Sequence, residues 1–330
     1  MRLSLCMIVK DEAFFIEECL AAAAPHVDEI VVVDTGSTDG TRDIAARYAD
    51  TLLDFEWIEN FSAARNAGLA AATGDWILVL DADERIAAED YPRLREAMAT
   101  TAFDGFYLTT RNYTSNTTRS DFILATPDDS MSRGYAGYAL HPIMKLFRAR
   151  DDIRYEGGVH EIVDGSIVDS RRGTLDAIIH HYGEANPERP KKDRALRYLS
   201  MMENEPYFKE DGRLLSMAGS AAMYFAEDYA KANRYLRRAA ELGYEPSRSL
   251  EGAAEAAYRH GNYGEAQDLY RRLYDDGQRT TSLCLNLANL AVRSGDKPRA
   301  ASLLEECLAL GGMGPQTDET IRRNIEFLKN

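Results

Sequence analysis

Hydrophobic and polar positions follow two different rhythms along this chain. Through about residue 110, short and nearly continuous apolar runs rich in β-branched residues alternate with stretches of helical period. The runs LSLCMIV, EIVVVD, TLLDF and WILVL predict strands, and helices are predicted over 12–24, 41–50, 62–72 and 87–99. Strands of this kind joined by helical crossovers form an α/β layer structure, a parallel sheet covered on both faces. From 104 to 182 the alternation lapses. DGFYLTT and IMKLFRA read as strands around a polar, Asp/Ser/Gly-rich stretch over 113–138, long enough to act as a lid or an acceptor-facing segment.

A charged, Pro-containing linker, NPERPKKDR at 186–194, ends that pattern, and only helical periodicity follows. Glu227, Gly261 and Gly295 are 34 residues apart, as are Ala232, Ala266 and Ala300, and small Ser220, Ala254 and Ala288 precede each turn. A 34-residue helix-turn-helix period with small residues at the crossings resembles tetratricopeptide repeats. The expected organisation is an α/β domain over 1–188 and an all-α repeat domain over 189–330.

Composition narrows the setting. The chain has 330 residues, enough for two cores, and its 45% apolar content is that of an ordinary soluble protein. A net charge of -15 argues against general attraction to nucleic acid or anionic lipid. The N-terminal apolar run reaches Lys10, Asp11 and Glu12 without a small-residue cleavage site, so it reads as a first strand, and a cytoplasmic protein is expected. Cys6, Cys19, Cys284 and Cys307 lie scattered in apolar patterns without metal or redox spacing, and buried thiols are expected.

The candidate chemistry sits at strand ends, where open parallel sheets bind ligands. Three strands finish in Lys10-Asp11-Glu12, in Asp34, and in Asp81-Ala82-Asp83 followed by Glu84. Asp34, ahead of a Gly/Ser/Thr turn, can accept the imide N–H of uracil or ribose hydroxyls. Arg65, in NFSAARNAG, can pair with a diphosphate through two parallel hydrogen bonds. Asp81 and Asp83 can both face one side of the chain and offer oxygen to Mn²⁺ or Mg²⁺, which often take one or two carboxylates plus substrate phosphates. A solvated turn capping the next helix is the plainer reading of the same acids.

In order, MIVKDE, VVVDTGSTDGT, NFSAARNAG, WILVLDADE and IRYEGGVHE resemble the family-2 glycosyltransferases of the GT-A fold, with a Rossmann-like, mostly parallel sheet. The likeness extends to bacterial enzymes with a helical-repeat extension, including peptide S-glycosyltransferases, and to core-lipopolysaccharide glycosyltransferases. It implies a UDP-sugar or related donor, inversion at the anomeric carbon and a divalent cation. By this resemblance Val9, Asp34, Arg65, Asp81 and Asp83 bind the donor, with Asp34 on the base, Arg65 on the nucleotide or diphosphate and Asp81 on the ribose side. Asp83 and His160 hold the metal, and Glu161 is the first choice of base, ahead of Glu156 and Asp164. His180 or His181 is the alternative for completing the metal site, and Lys145 and Arg148 either support the diphosphate or flank a strand.

Two other classes compete. A strand ending in D-x-D also opens haloacid-dehalogenase-type phosphatases, but Glu84 and Arg85 follow here where those enzymes continue with Thr or Val. A repeat scaffold with a decayed sugar-nucleotide domain is the non-enzyme reading, against which the intact Asp34, Arg65, Asp81 and Asp83 argue. The repeats favour a peptide or protein acceptor over a saccharide or lipid-linked one, and equally fit a homodimer.

Overall fold

β1 (Leu3–Val9), α1 (Ile16–Ala23), β2 (Glu29–Asp34), α2 (Thr41–Ala45), β3 (Thr51–Asp54), α3 (Phe61–Ala71) and β4 (Trp76–Val79) follow the expected alternation. β1 pairs in parallel with β2 and β4, and β2 with β3. Successive residues supply opposite faces: Leu5, Met7 and Leu78 pack with Ile16 and Leu20, while Cys6, Val31, Ile77 and Val79 pack beneath the other face. This period-two division explains why the strands read as unbroken apolar runs.

β5 (Glu84–Ile86), α4 (Tyr91–Thr100), β6 (Gly105–Thr114), β7 (Ile123–Leu124), β8 (Gly137–Arg148) and β9 (Arg172–His181) complete the first unit. The sheet order is β3-β2-β1-β4-β8-β6-β9-β5, with β7 on β8. From β4 onwards the pairings are antiparallel except for β6 with β9, so the sheet is parallel in its first half and mixed in its second. Between Phe106↔Leu146 and Tyr107↔Met144 the register skips Lys145, leaving it as the extra residue of a bulge.

Several boundaries move from their expected places. Glu12 accepts the first turn's amide bonds from Phe15 and Ile16, so α1 begins at Ile16. Glu84 belongs to β5, and a short 3₁₀ turn at Ala88–Asp90 intervenes before α4, so the acid does not cap that helix. The 113–138 stretch contributes the ends of β6 and β8. Tyr182 Oη donates to the Met131 carbonyl (2.8 Å), Arg133 lies over the Tyr182 ring, and Tyr135 stacks on Tyr113, fastening this stretch to the sheet.

The computed structural model describes residues 1–117, 121–126, 128–183, 191–311 and 315–329. The chain divides into compact units Met1–Arg189 and Pro190–Asn330, and the expected boundary at 188/189 and most of the 186–194 linker lie outside the described residues. Among the described residues no helix is long and apolar enough to cross a membrane.

The second unit consists of α5 (Lys191–Glu203), α6 (Gly212–Ala221), α7 (Tyr229–Glu241), α8 (Pro246–His260), α9 (Tyr263–Asp275), α10 (Thr281–Arg293), α11 (Lys297–Leu310) and α12 (Pro315–Lys329). Glu227, Gly261 and Gly295 all take left-handed backbone (φ 55°, 85° and 80°) between paired helices, and Ala232, Ala266 and Ala300 are fully buried. Asp228, Asn262 and Asp296 cap α7, α9 and α11 at the same 34-residue spacing, accepting from Lys231, Glu265 and Arg299 amides.

Ser220 departs from the expected pattern. It is exposed, whereas Ala254 and Ala288 are buried. A π turn over Ala222–Ala226 winds one extra residue into the end of α6. Up to its first residue, buried Leu214, Leu215, Ala218, Gly219 and Ala222 match buried Ser249, Leu250, Ala253, Ala254 and Ala257, an offset of 35. Gly219 therefore takes the small-residue position, and a Cβ there would stand 2.6 Å from Leu236 Cγ.

Candidate active site

The carboxyl ends of β1, β2 and β4 share one edge of the sheet, because the three strands are parallel neighbours. At the end of β2, Asp34 is 3% exposed, and its Oδ1 accepts from the Gly36 (2.8 Å) and Ser37 (2.7 Å) amides. Its Oδ2 is buried without a hydrogen-bond partner, an arrangement that normally costs free energy. Val9 lies beside Asp34 in the ladder, and its carbonyl accepts from the Thr35 amide (2.9 Å) and hydroxyl (3.0 Å).

Helix α3 places Ser62, Arg65 and Asn66 on one face, which grips the segment from Tyr155 to Glu161. Ser62 donates to the Gly157 carbonyl (2.5 Å), and Asn66 both donates to the Tyr155 carbonyl and accepts its amide, each at 2.9 Å. Arg65 Nε meets Glu161 Oε1 at 2.5 Å, Nη2 meets Asp81 Oδ1 at 2.9 Å, and the guanidinium lies over the Tyr155 ring. Arg65, the residue expected on the nucleotide or diphosphate, bridges two carboxylates, with Nη1 buried and without a hydrogen-bond partner.

The acids of DADE separate into distinct environments. Asp81 Oδ2 accepts from Lys145 Nζ (3.2 Å), and Lys145 also reaches Glu84 Oε2 (2.8 Å). Partial desolvation opposes ionisation of Asp81, but Lys145 and Arg65 outweigh it and hold the carboxyl far below its usual range. Burial and nearby Asp81 push Glu84 up, with Lys145 pulling the other way. Asp83 faces His181, with 3.5 Å between Oδ2 and Nε2. Burial disfavours the imidazolium of His181, but Asp83, with Glu84 and Asp81 behind it, keeps its pKa above the ordinary value.

The β5–β9 ladder produces this meeting: Glu84 pairs with His181, and the Tyr182 amide donates to the Asp83 carbonyl (2.9 Å). His181 Nδ1 is 2.8 Å from Asn112 Oδ1, a partner that fixes the ring and leaves Nε2 as the metal-facing nitrogen when neutral. A Cβ on Gly183 would lie 2.8 Å from His181 Nε2 and 3.3 Å from Asp83 Oδ2, so only glycine keeps the space over the pair clear. One carboxylate oxygen, one oriented imidazole nitrogen and that clearance fit a divalent cation. Among the described residues no three His, Cys, Asp or Glu side chains gather as a metal cluster, so further ligands would come from a bound phosphate or water.

The remaining expected residues are placed as follows. His160 is partly exposed with left-handed backbone (φ 53°), next to the Arg65-bound Glu161. Glu156 is exposed and pairs through its backbone with Ile162, while Asp164 accepts from the Tyr107 hydroxyl (2.6 Å). His180 is buried against Tyr113 Oη (2.8 Å), and burial followed by nearby Arg111 lowers its pKa to about 4. Arg148 ends β8 opposite Trp76 at the start of β4, away from that strand's acidic carboxyl end, and lies over the Trp76 ring beside Asp104. Sequence reasoning missed Asn112 and Gly183 because their roles arise from contacts across β6 and β9.

A Rossmann-like parallel half carries the acidic strand ends, and the mixed half that continues it returns a histidine to them, the layout expected of the GT-A fold. Residues 4–157 match the family model for Glycosyl transferase family 2. A TPR repeat-containing protein of Synechococcus elongatus is 33% identical over 292 residues, covering 82% of this chain and 65% of that protein. The SPbeta prophage-derived glycosyltransferase SunS of Bacillus subtilis is 27% identical over 157 residues, covering 47% of this chain and 33% of SunS. The crystal structure of S. aureus TarS 1-349 superposes with a TM-score of 0.42 at 16% identity, over 84% of this chain and 92% of that one. Residues 4–157 thus match a family 2 glycosyltransferase domain, and helices with the 34-residue tetratricopeptide-like period follow. The chain spans less than two thirds of the length of these two relatives.

Proposed function

We propose that the protein is an inverting glycosyltransferase that moves a sugar from a nucleotide-diphosphate donor, a UDP-sugar, to a peptide or protein acceptor. The observation that carries the donor assignment is Asp34 Oδ2, buried without a partner at the sheet edge, where a uracil imide N–H would satisfy it. Asp83 and His181 would hold Mn²⁺ or Mg²⁺, which when bound supplies Lewis-acid neutralisation of the leaving diphosphate. His181 replaces His160 in this reading because its Nε2 faces Asp83 and Asn112 sets its ring.

The acceptor X–H gives its proton to a carboxylate as X attacks the anomeric carbon, and the C–O bond to the diphosphate breaks on the opposite face. Glu161 is the proposed base, with Glu156 second. Arg65 ties Glu161 to Asp81, which links the base's position to the donor side of the cleft. A peptide acceptor is supported by the repeats, since stacked helical hairpins suit extended polypeptide.

Calorimetric titration with UDP tests the donor and metal together. Binding should require Mn²⁺, disappear in Asp83→Ala and weaken about tenfold in Asp34→Asn, which turns one acceptor into a donor. Metal-independent UDP binding of unchanged strength would sink the metal assignment.

A further inference from the structure

β8 pairs with β6 from Gly137 to Phe147, apart from the skipped Lys145, but on its other side it has strand partners only at its two ends. There β7 takes Gly137 and Tyr138, and β4 takes Leu146, Phe147 and Arg148. Among the described residues no strand lies against 139–145 on that side.

An antiparallel strand turns the backbone groups of alternate residues to alternate neighbours. The Ala136 carbonyl accepts the Ala125 amide (3.0 Å) on the β7 side, so Tyr138, Leu140 and Pro142 turn theirs to that side, and Ala139, His141 and Ile143 turn theirs to β6. Pro142 agrees with this phase, because proline is tolerated in a strand where its missing N–H would face outward. The open side therefore presents the amide and carbonyl of Leu140 and the carbonyl of Pro142. Leu140, His141, Pro142 and Ile143 are all exposed, where a strand covered on one face would alternate. Leu140 is 47% and Ile143 37% exposed, so both faces of the strand are reachable along with its edge. The same edge runs into the candidate site, since Lys145 reaches Asp81 Oδ2 (3.2 Å).

We propose that residues 139–143 of β8 receive the acceptor as an added strand: an extended polypeptide, rich in apolar side chains, that pairs its backbone with Leu140 and Pro142 beside the donor site. This placement rests on the reading above of a glycosyltransferase with a peptide acceptor. Main-chain groups at strand spacing match another polypeptide backbone, whereas a saccharide or a lipid tail has no such repeat. Leu140 and Pro142 on one face and Ile143 on the other suit apolar side chains at successive positions. Pro142 withholds one donor, which keeps the pairing short and hinders two copies of this chain from joining edge to edge.

The full chain is titrated into a fluorescein-labelled decapeptide of alternating valine and serine, followed by fluorescence anisotropy, with UDP binding in Mn²⁺ measured alongside by calorimetry. Leu140→Pro removes the outward N–H and should weaken peptide binding about fivefold, the worth of one backbone hydrogen bond. Pro142→Leu supplies an outward N–H and should tighten binding by a similar factor. His141→Pro removes an amide that faces β6 and should lower the melting temperature by several degrees more than Leu140→Pro; equal losses overturn the backbone phase and the proposal with it. Equal peptide affinity in wild type, Leu140→Pro and Pro142→Leu puts the peptide elsewhere and overturns the proposal. Should Leu140→Pro fail to fold, unchanged affinity in Pro142→Leu overturns it instead. If Pro142→Leu dimerises in sedimentation without gaining peptide affinity, the edge takes a second copy and the proposal fails. Wild-type chain that binds UDP but no peptide overturns this proposal alone, and chain that binds neither overturns the glycosyltransferase reading as well.

Discussion

Gly183→Ala separates the local geometry of the proposed metal site from the stability of the fold. The new methyl would stand 2.8 Å from His181 Nε2 and 2.9 Å from its Cε1. Ordinary contact lies near about 3.5 Å, so the imidazole must retreat by roughly 0.7 Å. A retreat of that size strains the 2.8 Å bond from Nδ1 to Asn112 or lengthens it past hydrogen-bonding range, and it moves Nε2 relative to Asp83. Loss of such orienting contacts costs about 10- to 100-fold in metal affinity, equivalent to about 1.4–2.7 kcal/mol. Gly183 is not among the left-handed glycines, so alanine fits its backbone, and the lower chain entropy of unfolded alanine offsets part of the crowding. The melting temperature should therefore stay within a few degrees while calorimetry shows weaker Mn²⁺-dependent UDP binding. Binding within twofold of wild type at unchanged melting temperature would refute the assignment of the space between Asp83 and His181 to a ligand.

Two further outcomes concern the scaffold. Asp104 accepts from Arg171 (2.7 and 3.0 Å) and Arg150 (3.1 Å), and those bonds and charges, Arg171 first, outweigh partial desolvation and hold its carboxyl below the usual range. A depressed folded pKa stabilises above the unfolded value of about 3.9 and ceases to do so as pH falls through the folded value. Asp104→Asn should cost about 1–2 kcal/mol at pH 7, with partly exposed arginines limiting the loss, and the gap in urea midpoint should close toward pH 3; an equal gap at both pH values contradicts the ion-pair account. In the repeats, Ser220→Leu should shift the helical melt by less than about 0.5 kcal/mol, whereas Ala254→Leu should overpack and cost about 1–3 kcal/mol; equal costs would contradict the offset introduced by the π turn.

The parallel half of the sheet was legible because each strand announces itself locally, through apolar runs bounded by helical period. β5 and β9 were not, since Glu84 and His181 become strand partners across almost a hundred residues. The same distance governed the site. Asp34, Asp81 and Asp83 were visible as strand-end acids, yet the partners that distinguish them, Arg65, Lys145 and His181, arrive from α3, β8 and β9. Lys145 was visible as a flanking charge, but a skipped ladder position leaves no periodic trace in one sequence. In the repeats the turns and capping residues kept a constant spacing, while the extra residue in α6 displaced the small position by one.

The π turn at the end of α6 also determines how this array can be taken apart. Its helices downstream can be exchanged at a 34-residue step, because burial at Ala254 and Ala288 repeats without offset. A junction upstream of Ala222 cannot use that step: a graft of α8 onto the α6 position would rotate its buried stripe by about 100°, one residue of helix, unless the extra residue travels with it. The first repeat is therefore keyed, and splice sites for chimeras belong on the far side of the π turn.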